Sequence, residues 1–147
     1  MEIGTKIRPF TSIDQDGDAF SSEDLEGQPF VLYFYPRDET PGCTKEACSF
    51  RDNLNALENL NICVLGVSPD SPESHQRFME NHKLNFTLLS DKDLELCYEF
   101  DTIKEGNRME RSSFIIDSHG VVRWIERPVN VEGHVERIIK ALKELKL

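Results

Sequence analysis

Residues 30–48 read FVLYFYPRDETPGCTKEAC, and the order of residue types in this run sets the architecture. Phe30 to Tyr35 is an unbroken aromatic and β-branched run, which suits a central strand buried on both faces. Pro36 ends it. Thr40 then stands where a helix N-cap belongs, and Pro41 falls at the first helical position, where a missing N–H costs nothing. A buried strand therefore feeds a helix through a short polar loop, and Cys43 lies in the first turn of that helix.

Working outward, apolar residues at Cys43, Ala47, Phe50, Leu54 and Leu57 share one face and predict a helix over about 41–60. Ahead of the central strand, residues 10–21 read as a hairpin turning at Asp16-Gly17. Beyond it, Ile62 to Val67 is a second buried strand. A helix follows from about Pro72 to His82, then a strand at Phe86 to Leu89. Ser90 is placed to N-cap a helix over 91–100. Phe114 to Asp117 and Val121 to Ile125 pair around Ser118-His119-Gly120, and the last helix carries Val135, Ile138, Ile139, Leu142 and Leu145 on one face. Strands alternating with helices predict a mostly parallel sheet covered on both faces, to which the closing hairpin adds an antiparallel edge: an α/β three-layer sandwich with a mixed central sheet flanked by helices and an N-terminal β-hairpin. Neither repeat nor low-complexity linker interrupts the chain, so residues 1–147 parse as one domain.

The 147 residues carry 17 Lys and Arg against 27 Asp and Glu, a net charge of −10. Such a chain is repelled by phosphate backbones and anionic membranes, so neither nucleic acid nor a membrane is an expected partner. No apolar run approaches a membrane span, and Met1 to Asp14 lacks the apolar core of a secretory signal, so a cytoplasmic location is expected. In a reducing compartment four cysteines are more often catalytic or plainly buried than structural disulfides.

Cys43 is the candidate nucleophile. Unpaired N–H groups and the positive dipole end at a helix start stabilise thiolate over thiol. An ordinary thiol with pKa near 8.5 is only about 3% ionised at neutral pH, and reaching a pKa of about 6 takes roughly 3.4 kcal/mol. A helix end supplies at most about 2 kcal/mol, so a nearby cation is required. Glu39 and Glu46 push the opposite way, and Arg37, Arg51 and Arg111 are the candidates for the cation. Cys48 lies five residues on. On one regular helix the two Cα atoms stand about 8.7 Å apart, whereas a disulfide needs roughly 4.4–6.8 Å. If this pair bonds, the helix start must unwind.

Cys63, in a strand, and Cys97, on a helix, read as packing residues. The spacing of the four cysteines does not suit a metal, and His75 and His82 read as solvated surface positions. Phosphate-binding glycine loops and Gly-x-Ser-x-Gly elbows are absent.

Pro36, Thr40 and Cys43 fit the Pro-x-x-x-Thr-x-x-Cys pattern of peroxiredoxins. The longer run through Ala47-Cys48 and Arg51-Asp52, with the Asp16-Gly17 turn, Leu65-Gly66-Val67-Ser68, Phe86 to Asp91 and Arg111 to Asp117, resembles the peroxiredoxin Q (bacterioferritin comigratory protein) subfamily. The resemblance implies the thioredoxin-like sandwich, with Cys43 as peroxidatic and Cys48 as resolving cysteine. Thr40 and Arg111 would complete the site, Pro36 would shield it, and the backbone amides of Gly42 and Cys43 would face the substrate. Hydrogen peroxide and organic hydroperoxides would be reduced through a Cys43 sulfenic acid and a Cys43–Cys48 disulfide. Thioredoxin or a similar dithiol protein would recycle a monomeric enzyme that needs no metal, haem or flavin. Residues 102–110 are shorter than the matching insertion in many relatives. Two readings compete: a thiol–disulfide oxidoreductase or redox sensor on the same fold, which has no need of Thr40 with Arg111, and a metal-binding or chaperone-like module.

Overall fold

The computed structural model describes residues 1–147. The chain opens with β1 (Thr11–Asp14) and β2 (Ala19–Ser21), joined by a turn in which Gly17 takes φ +79°. The central strand β3 (Phe30–Phe34) leads into α1 (Pro41–Asp52) and α2 (Leu54–Asn59). Then come β4 (Cys63–Ser68), α3 (Pro72–His82), β5 (Thr87–Ser90) and α4 (Glu95–Glu99). Residues 103–109 form a small separate ladder of β6 (Ile103–Lys104) and β7 (Arg108–Met109). β8 (Ser112–Ile116), β9 (Val122–Glu126) and α5 (His134–Leu145) close the chain.

Seven strands make one sheet in the order β2-β1-β5-β4-β3-β8-β9. All five residues of β3 are buried, and the strand alternates strictly. Val31 and Tyr33, with Tyr35 just beyond, point into a cluster shared with α1, α2, α3 and α5. Phe30, Leu32 and Phe34 point to the other face, against Leu96, Cys97 and Phe100 around α4. Period-two alternation in an all-apolar strand thus feeds two cores at once, which makes the three-layer thioredoxin-like sandwich.

The sheet is mixed, as expected, with fewer parallel pairings than the alternation of strands and helices suggests. Only β3–β4 and β4–β5 run parallel, while β1–β2, β1–β5, β3–β8 and β8–β9 are antiparallel. The two parallel pairings are the ones joined by helical crossovers, through α1–α2 and through α3, because a strand needs such a connection to return beside its neighbour in the same direction.

Two helix boundaries differ from expectation. The helix predicted over 41–60 is divided at Asn53, whose backbone leaves the helical region (φ −109°, ψ 9°) while its Nδ2 donates to the Ser49 carbonyl at 2.8 Å. A side-chain amide in competition with the backbone ladder accounts for the break. Ser90 caps nothing. It ends β5, with its Oγ donating to the Asp70 carbonyl. α4 starts only at Glu95, and the Asp91 carboxylate accepts from the Leu96 and Cys97 amides at 3.1 and 2.8 Å.

His75 overturns the surface reading. Its ring is fully buried on α3, with Nδ1 2.8 Å from Asp38 Oδ2 and Nε2 3.0 Å from the Leu89 carbonyl. A carbonyl only accepts, so Nε2 carries a hydrogen. The Tyr35 hydroxyl and Ser74 Oγ donate to the same Asp38 carboxylate at 2.7 and 2.8 Å. Burial, then Tyr33 and Asp38, push the Tyr35 hydroxyl well above its ordinary pKa, so it remains a donor. The carboxylate pins the β3–α1 loop to α3. Asp38→Ala would strip Tyr35, Ser74 and the buried His75 of their shared acceptor, and the expected loss is about 3–5 kcal/mol in urea unfolding, the range for breaking a buried pair. A loss below about 1 kcal/mol would contradict this role.

Candidate active site

The loop after β3 sets the helix start. Thr40 takes extended N-cap dihedrals (φ −73°, ψ 151°) and Pro41 opens α1, as expected. The Thr40 side chain does not cap. Its Oγ1 donates to the Arg37 carbonyl at 3.1 Å. The amides of Gly42 and Cys43 lie in the first turn, where the helix supplies no carbonyl four residues back. Pro36 is exposed on the way into the loop.

Glu39 holds the loop from outside. Its backbone is in the left-handed region (φ +65°), and its carboxylate meets Asn81 Nδ2 at 2.6 Å and His82 Nε2 at 2.5 Å. Arg51, near the other end of α1, donates to the His82 carbonyl at 2.6 Å. The end of α3 therefore anchors both flanks of the cysteine-bearing helix.

Cys43 is only 1% exposed. Of the three candidate cations, Arg111 reaches it: Nη2 lies 3.3 Å from Sγ. Arg37 is exposed, and Arg51 is taken up by Asp52 and the His82 carbonyl. Arg111 is brought in by pairing of β8 with β3, which sets Ser112 opposite Phe34 one residue from the guanidinium's Cα. Its approach is close at Gly42, where an added Cβ would stand 3.3 Å from Arg111 Nη2 and press on the guanidinium.

Glu46, read from sequence as an opposing charge, is the second partner of that guanidinium. It is fully buried, and its Oε1 accepts from Arg111 Nη1 at 2.6 Å. The planar fork of arginine serves both groups at once, one nitrogen to the carboxylate and one to the thiol. Burial works against the Arg111 charge, but Glu46 and Cys43 outweigh it and hold the guanidinium pKa above its ordinary value.

Tyr33 completes the floor. Its hydroxyl is buried without a hydrogen-bond partner. Burial first, then the charges of Glu46 and Cys43, raise its pKa far above the ordinary value, so it stays neutral. Gly66 makes room for its ring, since a Cβ there would come within 2.9 Å of the Tyr33 Cζ and hydroxyl.

Cys48 is half-buried on the next turns of the same unbroken α1. All four cysteines are free thiols. Cys63 and Cys97 pack into the core on the opposite face of the sheet from Cys43. Burial chiefly, then Asp91, push the Cys97 thiol well up its scale, which keeps it protonated.

Two groups of side chains have the residue types of a metal site. Asp38, Asp70 and His75 have ligand atoms within 4.8 Å of one another, and so do Asp14, Asp16 and Asp18. Both His75 nitrogens are already engaged, and Asp70 Oδ2 accepts from the Asp38 amide and from Ser68 Oγ, each at 2.8 Å. In the turn, Asp14 Oδ1 accepts from the Asp16 and Asp18 amides. No helix is long and apolar enough to cross a membrane.

Residues 3–125 match the AhpC/TSA family. The chain is 40% identical over 154 residues to Peroxiredoxin Bcp of Bacillus subtilis, covering 99% of this chain and 97% of that protein. Among solved structures, a cysteine-to-serine variant of PrxQ from Xylella fastidiosa superposes with a TM-score of 0.95 at 35% identity, covering 100% of this chain and 98% of the other. The bacterioferritin comigratory protein of Xanthomonas campestris, described for its alkyl peroxide reduction activity, superposes with a TM-score of 0.89 at 34% identity, covering 94% and 92%.

Proposed function

Since the chain belongs to the AhpC/TSA family, with peroxiredoxin Bcp and PrxQ proteins as its full-length relatives, we propose that it is a thiol peroxidase in which Cys43 attacks the hydroperoxide and Cys48 resolves the product. The observation that carries this reading is the Arg111 fork, 2.6 Å from Glu46 and 3.3 Å from Cys43 Sγ.

The Cys43 thiolate attacks one peroxide oxygen in line with the O–O bond. That bond breaks, the leaving oxygen takes a proton, and Cys43 becomes a sulfenic acid with release of water or an alcohol. Negative charge builds on the leaving oxygen, and donors aimed there lower the barrier. Arg111 and the amides of Gly42 and Cys43 are the donors at hand. The Thr40 hydroxyl joins them by turning away from the Arg37 carbonyl, and Pro36 screens the loop. The burial of Cys43 favours a reacting head no bulkier than a hydroperoxide group. Hydrogen peroxide and organic hydroperoxides both fit.

Resolution needs a conformational step. Cys43 and Cys48 share one intact helix, where five residues separate Cα atoms by about 8.7 Å, more than a disulfide spans. The first turns of α1 unwind, Cys48 condenses with the sulfenic acid, and water leaves. A dithiol protein of the thioredoxin type then attacks the disulfide and restores both thiols. Cys63 and Cys97 are on the wrong face of the sheet for this role, which favours Cys48. The reading includes a cytoplasmic, monomeric enzyme: the exposed large apolar side chains, Ile3, Ile13, Tyr98 and Leu147, are scattered along the chain.

The test is to mix reduced protein with one equivalent of hydrogen peroxide in stopped flow and map the product by mass spectrometry. A fast reaction ending in a Cys43–Cys48 bond is expected. A rate no faster than that of a free thiol would leave a thiol–disulfide oxidoreductase as the better reading. Cys48→Ser should keep the fast first oxidation, lose dithiol-driven turnover and over-oxidise at Cys43. Normal steady-state turnover in that variant would remove Cys48 from the scheme.

A further inference from the structure

One buried ionisable side chain beside the site has no part in that scheme. His134 opens α5 and is 1% exposed. Its Nδ1 lies 3.1 Å from Glu46 Oε2, the oxygen that Arg111 does not use. In the resting geometry neither ring nitrogen nor Glu46 Oε2 completes a hydrogen bond. Three polar atoms at one buried junction are thus unsatisfied, and each such atom costs about 1–3 kcal/mol, more when charged. The Nδ1–Oε2 distance is already that of a hydrogen bond, so a modest turn of the imidazole about its soft terminal torsion aligns the donor.

The surroundings leave His134 little else to do. The ring meets Phe50 edge-on at 5.5 Å, which packs it against α1. Glu126, on β9, is occupied by two bonds from Arg137 at 2.7 and 2.6 Å. Glu132 pairs with Lys45, and Glu136 is exposed on α5. Arg111 takes the other oxygen of Glu46, and Tyr33 stays neutral. Glu46 is the one carboxylate with an oxygen free toward the ring.

We propose that His134 is a positioning residue for the cysteine site: by donating Nδ1–H to Glu46 Oε2, it fixes the carboxylate that holds the Arg111 fork against Cys43 Sγ. The proposal rests on Cys43 being the reacting thiol, and it adds a third link to the contacts that prepare it. Losing the donor acts in one direction by two routes. Glu46 becomes less neutralised, and Arg111 becomes free to shift; both disfavour the Cys43 thiolate. A misplacement of about 1 Å costs up to roughly a hundredfold in rate.

Two substitutions separate the donor from the ring. His134→Phe keeps the packing against Phe50 and removes the N–H; His134→Asn keeps a donor near the Nδ1 position and loses the ring. The readouts are the peroxide rate of the reduced protein and the pH profile of Cys43 alkylation by iodoacetamide, followed on the Cys43 peptide by mass spectrometry. For His134→Phe the expected result is a peroxide rate at least about tenfold lower and an alkylation midpoint about one pH unit higher, the same tenfold expressed as thiolate. His134→Asn should stay within about threefold of the parent. If His134→Phe overpacks, His134→Leu makes the same comparison. An unchanged alkylation profile in the Phe or Leu variant overturns the proposal, and so does an Asn variant shifted as far as Phe. Alkylation needs no peroxide, so a parent protein that alkylates as described yet ignores peroxide would sink the peroxidase reading and leave this one standing.

Discussion

Cys43→Ser is expected to bring peroxide consumption down to the rate measured without protein, with the fold intact. A serine hydroxyl at neutral pH is not ionised and has no adjacent base here to activate it. The position is buried on the inner face of α1 beside Arg111, and Ser for Cys is a small change of volume. Arg111 keeps its stronger partner, Glu46, so no charge is stranded. The cost in stability should therefore stay below about 1.5 kcal/mol. Circular dichroism and urea unfolding check the fold, and a coupled peroxide assay checks the chemistry. Residual turnover above a tenth of the parent rate would require another nucleophile, and Cys48 is the remaining thiol on that face of the sheet.

Arg111→Met should lose about 10²–10³ in the rate of the first oxidation, the range for removing one donor from a developing oxyanion. Unlike the cysteine change, it should also destabilise. Glu46 is fully buried, and without Arg111 it loses the cation bonded to its Oε1. Removing one member of a buried pair costs about 3–5 kcal/mol. The two losses separate in a second variant. Arg111→Met with Glu46→Gln removes the stranded charge, so stability should largely return while the rate stays low. Arg111→Lys should fail to restore full activity, because a point charge cannot hold the carboxylate and the thiol together as a fork does. Recovery of the rate in the Met/Gln double variant would contradict the assigned role of the guanidinium.

How much of this was readable from residues alone divides along the distance over which each feature is determined. The helix start at Thr40-Pro41, the place of Cys43 in its first turn and the buried strand before it depend on neighbours a few residues away, and they stand as read. The choice of Arg111 over Arg37 and Arg51 depends on β8 lying beside β3, a pairing across some eighty residues that no local pattern encodes. Glu46 illustrates the same limit. From sequence it is one more negative charge near a thiolate; in space it is the clamp on the arginine. His75 was misread because a polar residue on an amphipathic helix ordinarily faces water, and only the fold brings Asp38 to it. Asn53 was missed because the apolar spacing runs on through it, while the break is made by a side-chain amide. His134 gave no signal at all: a histidine just after a glycine at the start of a helix looks like any surface position until α5 is laid against α1.

The sheet that places Cys97 among Leu96, Phe100 and Phe114, away from Cys43, has a practical consequence. The molecule carries two native thiol reporters of unequal depth. Cys97 lies on the buried face of α4 with its thiol held protonated, so a disulfide-forming dye reaches it only when that half of the core opens. Cys43 sits at a helix end, where fraying of a single turn is enough. Labelling both as denaturant is raised would resolve the local opening of the helix start from the loss of the entire fold, within one chain and without any introduced probe.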